Sequence, residues 1–330
     1  MMHILTQPAA KLACSVGPLL YTPANHKGIA SSICTERFGT SFSLALCLED
    51  TINERYLAEA EQQACQTLQA LEKAQRQSDF FLPKLFIRLR EPAQLERFLQ
   101  KLGSAAQLLT GFIFPKFSLE NGEAYLHALE RVNQNRPQPF YMMPVLEDPS
   151  LLALSQRQRQ LEQLKAMLDD ISPQVLNIRV GCSDLCHLFA TRRRVEQTIY
   201  EILPIANILS DILTVFQADY VVSAPVWEYY QDSHDLWKQG LERELALDQL
   251  NGFIGKTVIH PRQIAVVNNS LRVFQRDYED ALQILHWNQE NTSYVSGSVQ
   301  AQRMNEYKTH SNWAQRTLLL AELYGIRPDA

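Results

Sequence analysis

Eight short apolar runs recur along the chain, and nearly every one closes on a charged or hydrogen-bonding residue. In order they are Gly17–Ala24, Ser41–Asp50, Lys84–Arg90, Gly111–Phe117, Phe140–Asp148, Val175–Leu185, Ala218–Val226 and Gly255–Pro261. Helix-length polar and amphipathic stretches separate them, so the pattern reads as strand then helix, eight times over: a (β/α)8, or TIM, barrel. The runs are almost continuously apolar, as parallel strands covered on both faces are. A doubly wound sheet shares that signal, and the count of eight favours closure. In a barrel the loops at the strand C-termini build the active site. The run-end residues Asn25, Glu49, Asp50, Arg88, Glu147, Asp184 and His260 are therefore expected to converge.

The intervening segments carry helix period and helix punctuation. After the third run, Pro92 suits a first helical position. Leu95, Phe98, Leu99 and Leu102 make one stripe, and Gly103 can take a left-handed cap. Similar stripes are Leu57, Ala60, Ala64, Leu68 and Leu71, and later Leu161, Leu164, Leu168 and Ile171. Pro204 interrupts the helical pattern from Arg193 to Phe216 and predicts a kink or two helices. Beyond Pro261 the pattern is helix without strand, over Phe274–Trp287 and Arg303–Tyr324. Residues 1–265 thus read as the barrel and 266–330 as a C-terminal helical extension. The polar linker Asn288–Ser298 lets the last helix act as a lid or reach a neighbouring subunit.

With 330 residues, 46% of them hydrophobic, the chain can bury one large core, so one main domain is expected. A net charge of −5, a pI near 5.9 and no basic run interleaved with aromatics argue against nucleic-acid or anionic-membrane partners and for a small molecule. The six cysteines form no CxxC pair, which points to reduced thiols in the cytoplasm. No apolar segment approaches the roughly 18 residues a membrane span needs, and the start MMHILTQPAAKLAC lacks a secretory pattern. A soluble, cytoplasmic protein is expected.

Glu49-Asp50, Glu147-Asp148 and Asp184 can each be a helix N-cap. In a barrel all three positions also point to one mouth, and carboxylates gathered there repel unless a cation joins them. Oxygen-only ligands favour Mg²⁺, with Mn²⁺ as the substitute, and Glu147 and Asp184 are the expected ligands. Arg88, on a strand, needs an anionic partner. It either pairs with Glu49 or Asp50, or binds a substrate carboxylate or developing enolate oxygen. Lys116 either binds substrate or forms a Schiff base. Lys256, among glycines, and His260 flank the last run as substrate-binding candidates.

These residues resemble the HpcH/HpaI aldolase and citrate lyase β-subunit superfamily. The resemblance is carried by Leu20–Asn25, Leu46–Asp50, Ile87–Leu89, Pro144–Glu147, Gly181–Leu185 and Gly255–Pro261, the last being the most specific. It spans roughly Leu20 to the C-terminus. Pro225–Tyr230 and Arg303–His310 look like a less characterised branch of citrate-lyase-like C–C bond lyases. Cys47, Arg90 and Ser15-Val16-Gly17 depart from the family pattern, leaving open whether a coenzyme A thioester is the substrate.

The resemblance implies a Mg²⁺-dependent lyase that cleaves or forms a β-hydroxy acid or hydroxyacyl thioester through an enolate. Glu147 and Asp184 would hold the metal, with Arg88, Glu49 and Asp50 as catalytic residues and Glu306 standing in for the family's lid aspartate. It also implies a homo-oligomer, a trimer or hexamer. The competing expectations are a non-catalytic ligand-binding barrel and an acyl-CoA thioesterase.

Overall fold

A computed structural model describes residues 10–287 and 292–329, so Asn288, the start of the expected linker, and the first nine residues lie outside the described residues. Eight parallel strands run in the order β7-β6-β5-β4-β3-β2-β1-β8. They are β1 (Pro18–Pro23), β2 (Ser43–Cys47), β3 (Lys84–Arg88), β4 (Leu109–Phe114), β5 (Tyr141–Leu146), β6 (Ile178–Val180), β7 (Val222–Ser223) and β8 (Lys256–Val258). The sheet closes on itself. Ile254 and Thr257 donate to the carbonyls of Val222 and Ala224, and β8 also pairs with β1. The expected (β/α)8 barrel is the fold.

The helices are α1 (Ala10–Cys14), α2 (Ile29–Cys34), α3 (Leu57–Gln75), α4 (Gln94–Leu102), α5 (Gly122–Asn133), α6 (Leu154–Asp169), α7 (Cys182–Leu188), α8 (Leu203–Phe216), α9 (Leu236–Asn251), α10 (Arg262–Leu271), α11 (Gln275–Leu285) and α12 (Tyr307–Tyr324). Strand alternation divides the core in two. Leu44, Leu46, Leu85, Ile87, Phe112 and Leu146 face outward and bury the α3, α4 and α6 stripes read from the sequence. Leu19, Ala45, Phe86, Ile113, Met143 and Val221 fill the inside of the barrel. Fully burying one such side chain contributes about 1.5–3 kcal/mol, so these two shells fix the strand register that aims the polar positions.

Four local expectations change. The run Val175–Leu185 is strand only over Ile178–Val180; its second half is α7, and Asp184 sits in that helix's first turn. Pro204 produces no kink, because it occupies the first turn of α8, where no backbone N–H is needed. Gly103 has a positive φ of 63° with ψ −133°, outside the left-handed helical well. The boundary after residue 265 falls inside α10.

The extension is not purely helical. Two short sheets join it, β9 (Val273–Phe274) with β12 (Ile326–Arg327), and β10 (Val295–Gly297) with β11 (Met304–Glu306). Two- and three-residue strands leave no periodicity to read. Nor does α12 lie over the mouth. Leu319, Leu320 and Leu323 pack with Ala13, Cys14 and Val16 on the barrel's N-terminal end. There the Tyr324 hydroxyl donates to the Cys14 carbonyl at 2.7 Å, and Arg316 donates to the Phe253 carbonyl at 3.3 Å. No described helix is long and apolar enough to cross a membrane.

Candidate active site

At the C-terminal end of the strands lies a cavity of about 180 Å³ whose polar lining includes Tyr21, Asp50, Arg88, Glu147, Arg179 and Asp184. Each arrives there by strand parity. Ile87 packs outward, so Arg88 points inward; Leu146 packs outward, so Glu147 follows it into the mouth. One Arg88 nitrogen, Nη2, meets Glu49 Oε2 at 2.6 Å, Glu147 Oε1 at 3.0 Å and Asp50 Oδ2 at 3.1 Å. Its Nε is buried without a hydrogen-bond partner among the described residues. Lys116, at φ 47°, donates its backbone N–H to Glu147 Oε1 at 3.1 Å. Its ammonium sits 2.5 Å from Glu49, 3.1 Å from Asp50 and 3.8 Å from Asp184.

This crowding separates the carboxylates electrostatically. Burial opposes the charge on Glu49, yet Arg88, with Lys116 and the Asp50 N–H, holds it down at about 2. Burial raises Glu147 to about 7, with the Asp184 carboxylate adding to the rise and Arg88 opposing it. Asp50 is raised by burial and by Glu49. Although burial works against its charge, Lys116 is pushed above the ordinary lysine range by Glu49. A Schiff-base lysine needs the opposite shift, and Lys116 is instead paired with the Glu49 and Asp50 carboxylates.

Glu147 and Asp184 fit a hard divalent cation. Both donors are oxygens, Glu147 is almost wholly buried, and the Asp184 carboxylate raises the cost of charging it. Gly181 makes this approach possible: a Cβ there would lie 1.8 Å from Glu147 Oε2. Among the described residues no three His, Cys, Asp or Glu side chains gather as a ligand set. A two-carboxylate site is the kind magnesium completes with water and substrate oxygens.

The family model for C–C bond lyases of the TIM-barrel fold matches residues 10–326. The chain belongs to this family. Among solved structures it is similar to a citrate lyase from Burkholderia xenovorans, at 15% identity and a TM-score of 0.70, covering 95% of this chain and 94% of that one. It is also similar to CitE from Mycobacterium tuberculosis in complex with magnesium, acetoacetate and coenzyme A, at 16% identity and a TM-score of 0.60, covering 94% and 99%. RipC from Yersinia pestis matches at 18% identity and a TM-score of 0.52, covering 78% and 95%. No curated protein matches the chain.

In this C–C bond lyase family member the structure gathers Arg88, Glu49, Asp50, Glu147, Asp184 and Lys116, and sets four other expected residues apart. Lys256 points outward, into a buried pair with Glu244 at 3.0 Å and Asp248 at 2.8 Å on α9. His260 stacks on Tyr230 with centroids 4.6 Å apart, and its Nδ1 accepts from the Arg262 N–H at the start of α10. Asn25 is exposed in the turn after β1, outside the cavity lining. Glu306 lies in β11, and its N–H bonds His310 in the extension. Arg179, Tyr21 and Thr257 line the cavity unanticipated. The signal for Arg179 was present, since an arginine between Ile178 and Val180 on a covered strand raises the same question as Arg88.

Proposed function

We propose that the chain is a Mg²⁺-dependent C–C bond lyase that cleaves or forms a β-hydroxy acid or hydroxyacyl thioester through an enolate. One observation carries this reading: Arg88, held by Glu49, Asp50 and Glu147, shares a cavity with the Glu147–Asp184 pair. A magnesium ion, when bound by Glu147 and Asp184, supplies Lewis-acid polarisation of substrate carboxylate and carbonyl oxygens; manganese suits the same oxygen donors.

The protein's own groups do the rest. Arg88 is fixed before substrate arrives and presents a guanidinium to the oxygen on which charge develops, so no reorganisation is needed during reaction. Glu49, kept ionised, positions Arg88, while Lys116 neutralises Glu49 and Asp50 and orders the rim. The CitE structure with magnesium, acetoacetate and coenzyme A supports a small acyl or keto-acid substrate in this fold. A coenzyme A thioester and a homo-oligomer, trimeric or hexameric, belong to the same proposal.

The test is calorimetric titration of Mg²⁺ into metal-free protein, with and without pyruvate or oxaloacetate, for the wild type and Glu147→Ala. The expected result is binding that the keto acid tightens and that the variant loses. Wild-type protein that binds neither metal nor keto acid would return the carboxylates to the role of caps and ion-pair partners.

A further inference from the structure

Four arginines are buried among the described residues: Arg88, Arg157, Arg179 and Arg193. Three of them face carboxylates. Arg88 meets Glu49, Asp50 and Glu147, Arg157 meets Asp211 at 2.8 Å, and Arg193 lies 3.5 Å from Glu244. Arg179 is the most buried of the four, 1% exposed, and forms no ion pair among the described residues. Its partners are neutral: Asn177 Oδ1 at 3.2 Å, Thr257 Oγ1 at 2.6 Å and the Tyr21 phenol. Its Nε is buried with no hydrogen-bond partner among the described residues.

A charge in that position is expensive unless an anion answers it. The side chain also borders the cavity. Ile178 and Val180 pack outward, so Arg179 projects inward beside Tyr21 and Thr257, deeper along the barrel than Glu147. Arg88 stands near enough to add repulsion, and burial with that repulsion holds Arg179 below the ordinary arginine range. Arg88 already faces three carboxylates, whereas Arg179 faces none among the described residues.

We propose that Arg179 is a specificity-determining residue that receives a second carboxylate of the substrate, so the cavity takes a dianionic keto or hydroxy acid whose other end sits between Glu147 and Asp184. Thr257 and Asn177 are positioning residues that hold the guanidinium fork. This inference rests on the lyase reading for the substrate's metal-side end; the anion site itself rests on Arg179 alone.

The experiment compares pyruvate, oxaloacetate and succinate by calorimetry in the presence of Mg²⁺, using full-length wild type, Arg179→Met and Arg179→Lys. Wild type should bind oxaloacetate at least about thirtyfold more tightly than pyruvate, and Arg179→Met should lose that margin while keeping pyruvate affinity. Arg179→Lys should restore part of it, since lysine keeps the charge without the fork. Without ligand, Arg179→Met should melt at a higher temperature than wild type, because an unanswered buried charge has gone. Equal loss of pyruvate and oxaloacetate affinity, or a lowered melting temperature, would overturn the proposal and make Arg179 a structural residue. If Arg179→Met fails to fold, Thr257→Val replaces it, with a several-fold loss for oxaloacetate alone expected and no selective loss overturning the idea. Succinate binding that requires Arg179, in a protein that binds neither keto acid, sinks the lyase reading and keeps the anion site. Binding of none of the three sinks both.

Discussion

Two clusters in this molecule use the same residue types to opposite ends. Outside the barrel, Lys256 joins Glu244 and Asp248 beneath α9, with Lys256 wholly buried. Every carboxylate oxygen there has a partner: Ile199 N–H and Arg193 at Glu244 Oε2, the Tyr200 hydroxyl at Asp248 Oδ1, and Lys256 at the other two. At the mouth, Lys116 and Arg88 join Glu49, Asp50 and Glu147, but Asp50 is half exposed and Asp184 a third. The carboxylates of the first cluster are sealed, and those of the second are open to the cavity. Charge content does not mark a site; charged groups left open beside a cavity do.

The largest expected effect sharpens the sealed side. Lys256→Ala leaves Glu244 and Asp248 buried without their cation and should cost about 3–5 kcal/mol of stability. Chemical denaturation measures it, and keto-acid affinity per folded molecule should not change. At the open side, Arg88→Ala should lower turnover a hundredfold or more, about 3–4 kcal/mol of transition-state stabilisation. Near-normal turnover in a retro-aldol or condensation assay would remove Arg88 from the chemistry.

A third prediction concerns pH. Burial, with Glu244 adding and Lys256 opposing, raises Asp248 from 3.8 to about 6. A carboxylate raised on folding favours the native state while protonated, so that contribution is full below about pH 4 and is lost as pH rises through about 6. Between those values this residue should make stability fall with pH, at up to about 1.4 kcal/mol per unit. Wild-type and Asp248→Asn unfolding curves that stay parallel from pH 4 to pH 6 would contradict it.

The smallest effect is local to the mouth. Gly181→Ala drives a methyl into Glu147 Oε2, and titration should show Mg²⁺ affinity reduced about 10–100-fold, the usual range for disturbing a ligand's support. Unaltered affinity would mean that Glu147 binds no metal.

The barrel was legible because its strands are apolar on both faces and most run out near a residue the core cannot hold. The same rule found Glu49, Arg88, Glu147 and Asp184. It failed where the face of a strand decides the outcome. Lys256 and Thr257 are neighbours, and nothing in Gly255–Val258 says which one turns inward; the α9 carboxylates decide that only after folding. His260 resembled a site residue from its place at a run end, yet the turn into α10 takes its ring away to Tyr230. The place of α12 at the barrel base was not legible, because its contact with Cys14 joins positions 310 apart and that with Phe253 positions 63 apart.

Those contacts cover the base of a barrel whose interior is already filled. With α1 and α12 at the base and Phe86, Ile113 and Met143 packed within, the cavity opens at the C-terminal rim, and arrivals and departures queue there. When one molecule is split into two fragments inside such a blind passage, the fragment seated deeper must wait for the shallower to go. Release order, and which fragment inhibits competitively, then follow from the filled interior rather than from the chemistry at the rim.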